Sequence, residues 1–154
     1  MAANPASLHP QDDTLRLTRR FKAPREKVFR AFTEIETFRK WFGPAGTTVT
    51  KAEMDVRQGG RYSVTARSAE GKLFSVEGVY REVRPYERLG MTWTWAQGDF
   101  AGVETLLTIV FRDADGGAEI ELTHSLMPSA EMRERHNHGW NGSFERLAAL
   151  VASR

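Results

Sequence analysis

The sequence predicts an α+β fold in which a long C-terminal helix lies across a curved antiparallel sheet of about seven strands. Two patterns carry this expectation. From about Lys51 to Leu126, apolar residues alternate at period two in short runs divided by turn residues. From His136 to Val151, the residues Trp140, Phe144, Leu147 and Val151 recur at intervals of four, three and four, which stripes one face of a helix. Length sets the scale: 154 residues suit one domain with a substantial core.

Residues 1–13 show no periodic pattern and read as a disordered or extended tail, which leaves one domain over residues 14–154. In TLRLTRRF, Leu15, Leu17 and Phe21 share one face of a strand, interrupted by Arg19. Pro24 stands where a helix opens, and Val28, Ala31, Phe32 and Ile35 follow at helical spacing. A second short helix is expected, capped by Thr33 or Thr37, with Phe38, Trp41 and Phe42 as its apolar side and Gly43-Pro44 as its stop. Ala52, Met54 and Val56 then alternate with charges, Gly59-Gly60 turns the chain, and Tyr62, Val64 and Ala66 alternate back as a hairpin. Glu70-Gly71 leads into LFSVEGVYREV, Pro85-Tyr86-Glu87 turns again, and Leu89, Met91, Trp93 and Trp95 line one face of the next strand. Beyond the Gln97-Gly98-Asp99 loop, VETLLTIVF and AEIELTHSL form two more strands, the last with Ala118, Ile120, Leu122 and His124 on one side. Met127-Pro128 stops the sheet. Ser129 to Met132 reads as a brief helical turn before the terminal helix, whose start is blurred by Asn137 and Gly139.

Composition narrows the function. With 40% hydrophobic and 27% charged residues the chain is neither disordered, fibrous nor membrane-spanning in character. A net charge of +2 is too small for an electrostatic footprint on nucleic acid, and no stable membrane association is expected. The absence of cysteine removes disulfide scaffolds, thiolate metal sites and cysteine nucleophiles. The first residues carry neither a basic nor an apolar signal region, so a cytoplasmic protein, monomeric or homodimeric, is expected.

The stretches FKAPREKVFRAFT, WFGP, GGRY, GVYREVRPYERL, TWTW, LTHSL and RHNHGWNGSFERLAALV resemble the family of activator of heat-shock protein 90 ATPase homologues, over about Leu15 to Val151. That resemblance implies the START-like, or helix-grip, fold shared with birch pollen allergen, polyketide cyclases and lipid-transfer domains: a seven-stranded antiparallel sheet gripping a long C-terminal helix, with a hydrophobic cavity between. One such fold hosts binding proteins, cyclases and co-chaperones, so function has to be argued from the site. Eukaryotic activators also use a separate N-terminal domain, which the residues before the first strand are too few to replace.

The helical stripe therefore has two readings, plain core packing or the lid of a ligand cavity. Under the second, Trp93, Trp95, Phe111, Trp140, Phe144 and Leu147 would supply apolar contact with a small hydrophobic or amphipathic molecule, and Tyr80 a hydrogen bond. His124, inward by alternation, is either bonded within the core or orients the polar end of a ligand. His136, one turn before Trp140, faces the cavity mouth or sits in a frayed first turn. No cofactor or metal is expected, because His136 and His138 point to different faces of a helix and nothing else stands at ligand spacing. Non-catalytic binding is the leading expectation. A cyclase- or hydrolase-like enzyme is the first alternative, for which Glu77 and Glu104 are the strand carboxylates to consider; Arg61 would pair with an anionic head group. Regulation of the chaperone's ATPase, or another stress-response interaction, is the second.

Overall fold

The period-two segments pair into one seven-stranded antiparallel sheet, in the order β1-β7-β6-β5-β4-β3-β2. The computed structural model describes residues 14–152, so the tail expected over residues 1–13 lies outside the described residues. The strands are β1 (Leu15–Phe21), β2 (Thr48–Met54), β3 (Arg61–Arg67), β4 (Leu73–Arg84), β5 (Arg88–Trp95), β6 (Thr105–Ala114) and β7 (Gly117–Ser125). Strands β2 to β7 form a meander, and β1 joins its far edge by pairing with β7, Leu15 opposite His124 and Phe21 opposite Ala118. Two short helices, α1 (Arg25–Thr33) and α2 (Ile35–Phe38), carry the chain from one edge to the other, and α3 (Ala130–Ala152) crosses the inner face. The α+β, helix-grip architecture expected from the sequence is present.

Curvature comes from local breaks in the ladder. Register shifts occur between Val49 and Lys51 in β2 and between Tyr80 and Glu82 in β4, and each bulge bends its strand. Gly78 adds a close approach: a side chain there would strike the Thr92 carbonyl and the Tyr62 ring. Its absence lets the Tyr62 hydroxyl reach across β4 and donate to that same carbonyl.

Helix α1 starts after Pro24, whose carbonyl takes the amides of Lys27 and Val28. It buries Val28, Phe29, Ala31 and Phe32. Ile35 does not continue it but opens α2, and neither threonine caps that helix: Glu34 holds the cap position without a side-chain bond, while the Thr33 hydroxyl donates back to the Phe29 carbonyl at 3.2 Å. Trp41 and Phe42 fall in the turn beyond α2. Trp41 is fully buried and its indole N–H donates to the Ala31 carbonyl at 2.9 Å, so the turn is folded back onto α1.

The terminal helix is longer than its sequence pattern suggested. The turn expected at Ser129–Met132 and the helix expected after it are one 23-residue helix, entered through Ser129, whose hydroxyl accepts the Met132 amide at 3.1 Å. The buried stripe begins at Met132 and runs through His136, Trp140, Phe144 and Leu147 to Val151. Burying that continuous face outweighs the helix-breaking tendencies of Asn137 and Gly139, the latter roughly 1 kcal/mol. On the opposite face of the sheet, Glu119 and Glu121 pair with Arg20 and Arg112, on the solvent side as alternation requires.

Leu147 is wholly inaccessible, and Leu147→Ala is expected to cost about 2–5 kcal/mol in urea denaturation. A loss under about 1 kcal/mol would show that this half of the helix is not gripped.

Candidate functional site

The interior divides along α3. Beneath α1 and α2 it is filled: Phe111 packs edge-to-face on Phe29 and Phe32 at 5.2 and 5.5 Å, and Phe144 lies against Phe21, Phe32 and Trp41 at 6.2–6.3 Å. Toward the N-terminal half of α3 the sheet curves away and a cavity of about 310 Å³ remains. Its walls come from four places. Phe42, Gly43 and Pro44 form one rim, Lys72, Leu73 and Phe74 the opposite lip, Trp93, Trp95 and the loop from Gln97 to Phe100 the floor, and Arg135, His136, Gly139, Trp140 and Ser143 the helical side.

The rim is fastened to the helix. The Arg146 guanidinium donates to the main-chain carbonyls of Lys40, Phe42, Gly43 and Pro44 at 2.9–3.3 Å, and the Ser143 hydroxyl accepts the Gly43 amide at 2.9 Å. Gly142 allows this approach, since a side chain there would press on Pro44.

Two histidines set the electrostatics. Trp140 donates its indole N–H to His124 Nδ1 at 3.2 Å, so the neutral ring carries its proton on Nε2 and donates to Thr105 Oγ1 at 2.7 Å, which in turn donates to the Trp93 carbonyl at 2.8 Å. His136 runs the other way. Its Nδ1 faces the Met132 carbonyl at 2.8 Å and must donate, which leaves Nε2 to accept the Trp95 indole N–H at 2.9 Å. The two rings meet edge-to-face at 4.7 Å. Burial first, then the neighbouring His136, hold His124 well below its ordinary 6.5; burial lowers His136 as well, against the opposing effect of its bond to Met132. Both imidazoles are therefore neutral bridges with each nitrogen engaged. The Trp93 indole N–H has no acceptor among the described residues, although Trp93 is only 4% exposed.

Of the residues expected to line a cavity, Trp93, Trp95 and Trp140 do so. Phe111, Phe144 and Leu147 do not; they occupy the filled half, because periodicity places them on the inner face but at a different level. Tyr80 is also inward but packs on Tyr62 at 5.4 Å, away from the opening, and burial raises both phenols above their ordinary 10.0. His124 stands one layer behind Trp140, whereas His136 faces the cavity. Glu77 and Glu104 are exposed, and Arg61 lies on a separate cleft of the β2–β3 hairpin with Glu53, Asp55 and Arg57. The sequence reading missed Phe42, Phe74, Phe100, Lys72 and Gly139. One signal was available: Trp93 and Trp95 end their strand, so the loop that follows them had to border whatever they face. Among the described residues no group of three or more His, Cys, Asp or Glu could hold a metal ion, and no helix is long and apolar enough to cross a membrane.

A long helix laid over a concave seven-stranded sheet, with an aromatic-walled cavity at one end, defines a helix-grip protein. The chain belongs to the family described as Activator of Hsp90 ATPase homolog 1-like protein, which matches residues 22–152. It is similar to a protein from Chromobacterium violaceum, at 31% identity and a TM-score of 0.80 over 92% of this chain and 99% of that one. An AHSA1 protein from Silicibacter pomeroyi is 30% identical, with a TM-score of 0.80 over 90% and 97% of the two chains. At 19% identity, a protein from Mycobacterium smegmatis shares the fold with a TM-score of 0.80 over 95% and 94%. No curated protein matches the sequence.

Because both histidines are kept neutral in the fold, the unfolded chain binds more protons than the folded one below about pH 6.5. Stability is complete above that value and declines as pH falls, by up to about 1.4 kcal/mol per pH unit for each histidine. Urea midpoints measured between about pH 7.5 and pH 5.5 should fall accordingly, and a flat profile would contradict the neutral network.

Proposed function

We propose that the protein binds, without covalent catalysis, a small hydrophobic or amphipathic molecule in the cavity between the sheet and α3. The observation that carries this reading is a cavity of about 310 Å³ left open and walled by aromatic rings in a protein whose other half is filled. That volume lies at the lower end of ligand sites, which suits a molecule of a few fused rings or a short chain. Catalysis is less well supported. A proton-handling histidine needs a free nitrogen, and both nitrogens of His124 and His136 already serve tryptophan, threonine or main chain. The chaperone activity in the family's description is the alternative reading, and stimulation of a chaperone ATPase by this protein, undiminished when the cavity is plugged, would favour it. A reducing cytoplasm fits a chain free of cysteine.

Gly139 supplies a test that separates binding from folding. It lies within α3, borders the cavity, and a Cβ built there meets open space. Gly139→Ala is expected to stabilise by roughly 0.5–1 kcal/mol through helix propensity. Gly139→Leu should fill the cavity, leave the melting temperature no lower, and abolish quenching of tryptophan fluorescence by an apolar probe such as methylnaphthalene. Unchanged quenching in that variant would place the probe elsewhere and overturn the reading.

A further inference from the structure

The polar groups around the cavity are not balanced between donors and acceptors. His136 has both nitrogens occupied, the Gln97 carbonyl oxygen accepts the Ser75 amide at 2.7 Å, and the Ser143 oxygen accepts the Gly43 amide. Asp99 and Arg135 answer each other at 3.2 Å, and Arg135 is further held by Glu131 at 2.9 Å. Three polar hydrogens or hydrogen sets of the lining then have no acceptor among the described residues: the Lys72 ammonium, the Gln97 amide NH₂ and the Ser143 hydroxyl proton. Every one is a donor. With Arg135 paired to Asp99 and Glu131, Lys72 is the cation of the lining that has no carboxylate partner among the described residues.

A surplus of donors facing an apolar space is matched by a molecule that brings acceptors. Resting on the binding function proposed above, we infer that the ligand is a flat apolar molecule bearing a carboxylate or equivalent anionic oxygen group, with that group at the mouth against Lys72 and its rings among Trp93, Trp95 and Trp140. A cationic or donor-rich ligand would leave these groups unanswered and add repulsion at Lys72.

Three probes that share the naphthalene ring decide it: naphthoate, naphthylmethylamine and methylnaphthalene, titrated by tryptophan quenching and calorimetry into the full chain. Naphthoate is expected to bind more tightly than the amine by roughly fivefold to tenfold, as one charge-assisted contact at a partly screened site allows. Lys72→Met should remove most of that preference for naphthoate over the amine; Lys72 is exposed, so the variant folds. Equal binding of all three probes, or tighter binding of the amine, would overturn the inference and leave the cavity reading standing. Failure of every probe to bind would overturn both.

Discussion

The hydrogen bond from Trp140 to His124 ties α3 to β7 at the level where the filled core stops and the cavity begins. Much of the open half hangs from it. By taking an indole proton on Nδ1, His124 is obliged to give its own proton to Thr105, and Thr105 then closes on the Trp93 carbonyl, so helix, β7, β6 and β5 are joined through buried bonds. A polar network in so apolar a setting is favourable only when every member is satisfied, and here each imidazole is. The same requirement makes His136 the keeper of Trp95, and through it of the cavity floor. Two neutral rings thus do for this end of the molecule what phenylalanines do for the other: they hold large aromatic residues at fixed positions, but by direction as well as by volume.

The contrast between the two halves follows from where bulk is available. Phe29 and Phe32 on α1 reach down to Phe111 and Phe144, and Trp41 folds in behind them, so the sheet's concavity is taken up by rings from three elements. Neither α1 nor α2 reaches the other end, which α3 alone spans. There the sheet opens between the β3–β4 turn and the loop after β5, and α3 presents Gly139 and Ser143 where larger residues would have closed the gap. Small residues on a helix face that otherwise carries Trp140 and Phe144 are what make the space.

Sequence patterning showed the sheet, the inward position of His124 and the buried helical face, because all three are read from periods of two and about 3.6. It did not separate Trp140 from Phe144, or Trp93 from Phe111. Periodicity tells which face a residue occupies, not how far along the interior it lies, and that level depends on strand register, bulges and the helix crossing. The first turns of α3 were obscured for a related reason. Asn137 and Gly139 carry poor helical propensity, and only the tertiary burial of Met132 and His136 against the sheet overrules it. Phe42, Phe74 and Phe100 converge from the turn after α2, the start of β4 and the loop after β5, a meeting that no local pattern records.

The attachment of residues 40–44 to Arg146 has a consequence for how such a protein could diversify. All four bonds end on carbonyl oxygens, so the guanidinium fixes the course of the loop without regard to what its side chains are. Gly43 is constrained, by its φ of +88° and by the proximity of Thr47, but Phe42 projects into the cavity from a backbone held by other means. The frame is therefore held independently of the wall. A substitution at position 42 would change the size and polarity of the chamber and give up the packing of its ring on Phe38 and Trp93, while the guanidinium keeps the course of the loop.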